Sequence, residues 1–271
     1  MNDSDNTVIA DDEATGQRAH EAIAMLTDQF ERITEAGEIT VNHDTSRLFK
    51  ALFGWWAKIN RSSQLVALAH NNRLGHESGP IVRSIIQHTL VLQWVLDEGD
   101  DALDALVEYG EDNTRKLMED LERAEWPIPP GAEREKPSEP QVPHRLLGMI
   151  KNFADLCIAY DARKLYVAYR LLSAQIHPSP QGGMAYVDDT GTLSNYAAKQ
   201  TWGLLIQTAM CLIQAARTFN PLIEGQPLND VITRAETRLG TEIGLWTRRQ
   251  KPSKSTSHRT SSKPNQPSRD V

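Results

Sequence analysis

Several features common in secreted, membrane and metal-bound proteins are missing from this chain. It has two cysteines, Cys157 and Cys211, and both fall inside apolar helical patterns. Thiols placed that way read as buried and reduced, so the sequence offers no disulfide framework. No apolar run reaches the roughly 20 residues a bilayer-spanning helix needs. The longest, TWGLLIQTAMCLIQAA over 201–216, is interrupted by Gln207 and Gln214 and reads as a core helix. The opening stretch MNDSDNTVIADDEATG is acidic and has no apolar signal core. The expectation is a cytoplasmic protein without membrane contact. A Gly-rich phosphate loop, a nucleophile elbow and a zinc ribbon are also missing, and no internal repeat is visible. Strand-like alternation does not persist outside 184–194.

Net charge and hydrophobic content narrow the classes further. A formal charge of -7 argues against a protein whose whole surface grips nucleic acid, but leaves room for a local basic site. Hydrophobic residues make up 39% of the chain, fewer than a compact domain usually carries. The shortfall is concentrated in the polar ends and one proline-rich stretch, so a core remains between them.

What the sequence does contain is helix. Ile23, Leu26, Phe30 and Ile33 recur at helical spacing over 17–35. Leu48, Leu52, Trp55, Trp56 and Ile59 give 45–71 a wide apolar face. Ser78 before Gly79 and Pro80 predicts the capped start of a third helix, apolar nearly all round. A charged helix is predicted over 101–125. The stretch WPIPPGAEREKPSEPQVPH, 126–144, holds six of the 14 prolines and cannot be continuous helix. Helices resume over 144–156 and 161–176, HPSPQGG reads as a loop, and 186–195 as a short hairpin or a loop. A core helix is expected over 193–220 and a last one over 228–246. The predicted organisation is a disordered acidic N-terminus (1–15), an all-α multi-helix bundle (16–247) with a proline-rich connector (126–144), and a disordered basic tail (248–271).

The most informative stretch is YRLLSAQIHPSPQG, 169–182. At about 100° per residue, a helix here brings Tyr166, Arg170, Ser173 and His177 onto one stripe, and Pro178 ends it. Histidine titrates near neutrality and an adjacent arginine can hold a phosphate. That pairing suits metal-independent RNA cleavage, in which a 2′-hydroxyl attacks the adjacent phosphate. Arg170 would bind phosphate and His177 would act as acid/base, with Tyr169 and Ser173 orienting the substrate or the imidazole. The alternative is a structural network: Arg170 paired with a carboxylate, Ser173 bonded back to a carbonyl, His177 capping the helix end.

Two resemblances bear on the choice. Arg170-LLSAQI-His177 resembles the R-x4-6-H motif of the HEPN superfamily, although Leu171 stands where that motif usually has a polar residue. This resemblance implies a ribonuclease of toxin or phage-defence type, acting on RNA as a homodimer and controlled by an antitoxin or another protein partner. Over residues 45–220 the chain also resembles a bacterial family of uncharacterised helical proteins. That family joins an R-x3-E pair in a buried helix to a later Y-x3-S-x3-H before proline. The second motif is intact here as Tyr169, Ser173, His177 and Pro178. The first is Arg83-SII-Gln87, with an amide in place of the acid. This resemblance implies a fold and no agreed activity.

An arginine inside an apolar helix is costly to bury unpaired. Arg83 and Gln87 are therefore expected to face the Tyr169–His177 helix and to complete a cationic pocket suited to an anion. The rival to a ribonuclease is a non-enzymatic helical module that binds a partner protein or a small anionic ligand. No cofactor and no metal are expected. His70, His76 and Glu77 in HNNRLGHE lack the H-E-x-x-H spacing and read as a polar helix end.

Overall fold

The computed structural model of the protein describes residues 9–37, 39–41, 43–127, 142–178, 180–197 and 202–249. Most of the proline-rich connector, the first eight residues and nearly all of the basic tail lie outside this set. Within it the apolar periodicities condense into ten helices: α1 (Glu13–Glu35), α2 (Ser46–Asn71), α3 (Gly79–Glu98), α4 (Asp100–Arg123), α5 (Leu147–Lys151), α6 (Phe153–Ala159), α7 (Arg163–Ile176), α8 (Pro180–Met184), α9 (Gly203–Phe219) and α10 (Asn229–Leu239). Among the described residues the only β pairing is two isolated bridges, Val41 with Ile223 and Val187 with Leu193. The fold is an all-α multi-helix bundle. None of the described helices is long and apolar enough to cross a membrane.

α9 lies at the centre because its sequence offers almost no polar face. Leu205, Ala209, Leu212, Ile213, Ala216 and Phe219 are buried against α1, α2 and α3. An aromatic cluster locks this arrangement. Trp56 of α2 stacks on Phe219 with ring centroids 4.3 Å apart and planes 13° from parallel. Phe30 of α1 meets the same indole edge-on at 4.9 Å. α10 closes over α1, and α7 packs on α3 away from the centre.

Several predicted boundaries move, each for a local reason. α1 begins at Glu13, because Asp12 caps it by accepting a hydrogen bond from the Thr15 amide at 2.7 Å. The start of α3 at Gly79 stands as expected, with Ser78 at the N-cap position, but the Ser78 hydroxyl makes no capping bond and donates back to Gly75 O at 2.7 Å inside a single 3-10 turn, His76–Ser78. The helix expected over 144–156 is two, α5 and α6, divided at Asn152, whose side chain accepts from Ala154 N. HPSPQGG contains a short helix, α8, rather than only loop. α9 starts at Gly203, ten residues later than expected.

The last helix stops at Gly240, which takes the left-handed conformation (φ 83°) that closes helices. Residues 241–249 then run extended across the bundle. Gln93 of α3 reads the backbone of Trp246 twice, donating to its carbonyl at 2.7 Å and accepting from its amide at 3.2 Å. Those two hydrogen bonds replace the intrahelical ones that a continuation of α10 would have made.

Both cysteines are buried and unpaired. Burial raises the Cys157 thiol to about 12 and the Cys211 thiol to about 11, well above the ordinary range. Since the thiolate is the reactive form, the native protein should not react with a disulfide reagent such as 5,5′-dithiobis(2-nitrobenzoate) at pH 8. Two thiols should titrate once it is unfolded in guanidinium.

Candidate functional site

α7 carries two kinds of polar residue, and the fold separates them. The helix enters after Asp161, which holds a positive φ of 52°, and ends at His177 with φ -83° and ψ 144°. Pro178 imposes that extended ψ on the residue before it. Because φ of His177 stays close to helical, its side chain keeps the direction of the stripe while the backbone leaves. Leu165 and Leu172 form the buried side of the helix.

Tyr169 and Ser173, one turn apart and half-buried, meet Arg83 from α3. Arg83 donates from Nε to Ser173 Oγ at 2.8 Å and from Nη2 to the Tyr169 hydroxyl. Its guanidinium carbon lies 4.3 Å from the centroid of the Tyr169 ring. Ser173 passes its own proton to Tyr169 O at 2.7 Å. Among the described residues no carboxylate pairs with Arg83. The cation is held by two hydroxyl oxygens and an aromatic face, a weaker neutralisation than an ion pair.

On the outer side of Tyr169 and Ser173 lies a cleft of about 360 Å³. α7 contributes Tyr166, Tyr169, Arg170, Ser173, Ala174 and His177, and the α5–α6 junction contributes Asn152, Phe153 and Ala154. Arg170 and His177 are exposed there. Neither side chain has a hydrogen bond or ion pair among the described residues. Among the described residues its lining has no carboxylate. One wall is aromatic: Tyr166 and Tyr169 stack with centroids 6.3 Å apart, and Phe153 meets Tyr169 at 4.5 Å. The arrangement can hold an anion beside a titratable imidazole, with flat apolar surface next to both.

The expected site residues thus fall into three sets. Arg170 and His177 share the open cleft with Tyr169 and Ser173. Arg83 reaches the same two hydroxyls but from behind, so it braces the wall and does not line it. Gln87 does not line this cleft and its side chain makes no hydrogen bond among the described residues; the four-residue spacing that joins it to Arg83 along α3 does not carry it into the network. Asn152 and Phe153 were missed. Asn152 with Asp155 three residues on is a helix-start pattern, and it could have revealed both the break and the second wall. His70, His76 and Glu77 do not converge: His70 stacks on Trp202 at 4.5 Å, while Glu77 accepts a hydrogen bond from Tyr186.

The sequence profile of a family of unknown function (DUF5677) matches residues 49–192, just over half of the chain. The matched window contains Arg83, Tyr169, Ser173 and His177. No curated protein and no solved structure matches the chain.

Bracing and open residues should differ in stability. Arg83→Ala removes two charge-assisted hydrogen bonds and should lower the unfolding free energy by about 2 kcal/mol in urea denaturation. Arg170→Ala, which removes no contact, should stay within about 0.5 kcal/mol of wild type. Equal losses would contradict this division.

Proposed function

We propose that the chain, which belongs to the DUF5677 family of unknown function, is a metal-independent ribonuclease whose site is the Arg170–His177 cleft. One observation carries this reading: an exposed arginine and an exposed histidine line the same carboxylate-free cleft, and neither is engaged by the fold. Exposed and unpaired, both side chains are free to meet a ligand from the cleft. Arg170 holds a phosphodiester and offsets the charge that builds on its oxygens. His177 takes the proton of the neighbouring 2′-hydroxyl as it attacks phosphorus. Tyr166, stacked beside Tyr169, offers the flat surface on which an unpaired base settles. The resemblance of Arg170-LLSAQI-His177 to HEPN ribonucleases points to the same chemistry and to a role in toxin or phage-defence systems.

A second reading has its own support. The Arg83–Tyr169–Ser173 network shows that the inner half of the column braces two helices. If the outer half only binds, the protein is a module for a small anion or a partner.

The two readings separate in one experiment. Wild type, Arg170→Ala and His177→Ala are expressed side by side, scored for growth arrest and RNA integrity, then purified and assayed on RNA in EDTA. The ribonuclease reading expects cleavage by wild type to 2′,3′-cyclic phosphate ends, and a fall of about 100-fold or more in each variant. Three folded proteins that all leave RNA intact would leave the binding module.

A further inference from the structure

His177 borders two clefts. The second, of about 590 Å³, lies between the end of α7, the turn before α3 and the segment after α8. Its titratable residues are His76, Glu77, His177 and Tyr186; α7 adds Gln175 and Ile176, which carry no charge. Arg170 borders only the first cleft.

The turn that carries His76 is set close against α7. A Cβ on Gly79 would lie 2.9 Å from Gln175 Oε1 and 3.6 Å from Leu172 Cδ2, so the start of α3 lies directly against the side chains of α7. The Ser78 hydroxyl bond to Gly75 O stiffens the turn. Glu77 is occupied by the Tyr186 hydroxyl. That hydrogen bond also raises the phenol above its usual range and keeps it protonated. The Tyr186 ring meets the His76 ring edge-on at 6.0 Å. Among the described residues neither the His76 nor the His177 side chain makes a hydrogen bond. Two unengaged imidazoles therefore share one cleft, one of them also facing the cationic cleft beside it.

We infer that His76 is the second acid/base group of this site, the one that protonates the departing 5′-oxygen of RNA. The inference rests on the ribonuclease reading above. In that reaction the 2′-oxygen forms a bond to phosphorus and the phosphorus–O5′ bond breaks. Attacking and leaving oxygens lie on opposite sides of phosphorus in an in-line displacement, so one imidazole cannot serve both in the same step. His177, neutral, takes the 2′-proton; His76, as imidazolium, gives a proton to O5′. The products are a 2′,3′-cyclic phosphate and a 5′-hydroxyl, and solvent exchange returns each imidazole to its starting state.

The test compares a ribodinucleotide, whose alkoxide leaving group needs a proton, with a ribonucleoside 3′-(4-nitrophenyl phosphate), whose leaving group does not. Full-length wild type, His76→Ala, His76→Gln and His177→Ala are assayed on both, with circular dichroism to confirm folding. The glutamine variant keeps polar bulk if alanine disturbs the turn. His177→Ala should lose about 100-fold or more on both substrates. Both His76 variants should lose about 100-fold on the dinucleotide and less than tenfold on the aryl ester. Equal losses on both substrates, or none on the dinucleotide, overturn the role of His76 and leave the ribonuclease reading standing. Wild type that cleaves neither substrate overturns both.

Discussion

The structure turns on one half-buried cation with no carboxylate of its own. Arg83 sits in a largely apolar helix and draws its partners from another helix: a serine hydroxyl, a tyrosine hydroxyl and the tyrosine ring. Apolar contact between α3 and α7 is non-directional and would tolerate a rotation of either helix. Hydrogen bonds are directional. Fixing Tyr169 and Ser173 toward α3 sets the rotation of α7 about its axis, and this decides that Arg170 and His177 look outward. The open face of α7 is a consequence of its bracing face.

This division also explains how an acidic protein keeps a cation-lined cleft. Many of its acids are neutralised near their own helices. Asp112 of α4 holds Lys116 at 2.8 Å and Lys151 of α5 at 2.9 Å, and these hydrogen bonds to lysine keep its carboxyl at about 2. Arg47 joins Asp100 and Asp104, and Arg248 joins Glu98. Arg170 and His177 are left out of such pairs. The net charge describes the whole surface, while recognition depends on the small area where charges stay uncompensated.

The walls around α7 come from short, irregular pieces. The break at Asn152 brings Phe153 beside Tyr169, and the 3-10 turn before α3 brings His76 to the far side of His177. Long helices supply rigid position; the junctions between them supply the groups that converge on one point. This is why the proposed site lies at the ends of elements and not along the centre of the bundle.

Periodicity alone determined the helical class, because the apolar spacing of 17–35, 45–71 and 79–98 has no other way to bury itself. It also determined the polar stripe on α7, since the angular relation among Tyr166, Arg170, Ser173 and His177 is a property of one helix, and Pro178 marks where it must end. Which members of that stripe face inward was not in the sequence. The answer depended on Arg83, 90 residues away from Ser173 along the chain. Gln87 illustrates the same limit: its spacing from Arg83 places both on one side of α3, yet the network includes only Arg83. Boundaries failed where a side chain competed with the backbone, at Asp12 and Asn152, and where Gln93 captured the segment around Trp246. His76 looked like part of a polar helix end until the close packing at Gly79 set its turn against α7. Local geometry follows from neighbours in the chain; convergence of side chains follows from packing between helices, and only the folded structure holds that information.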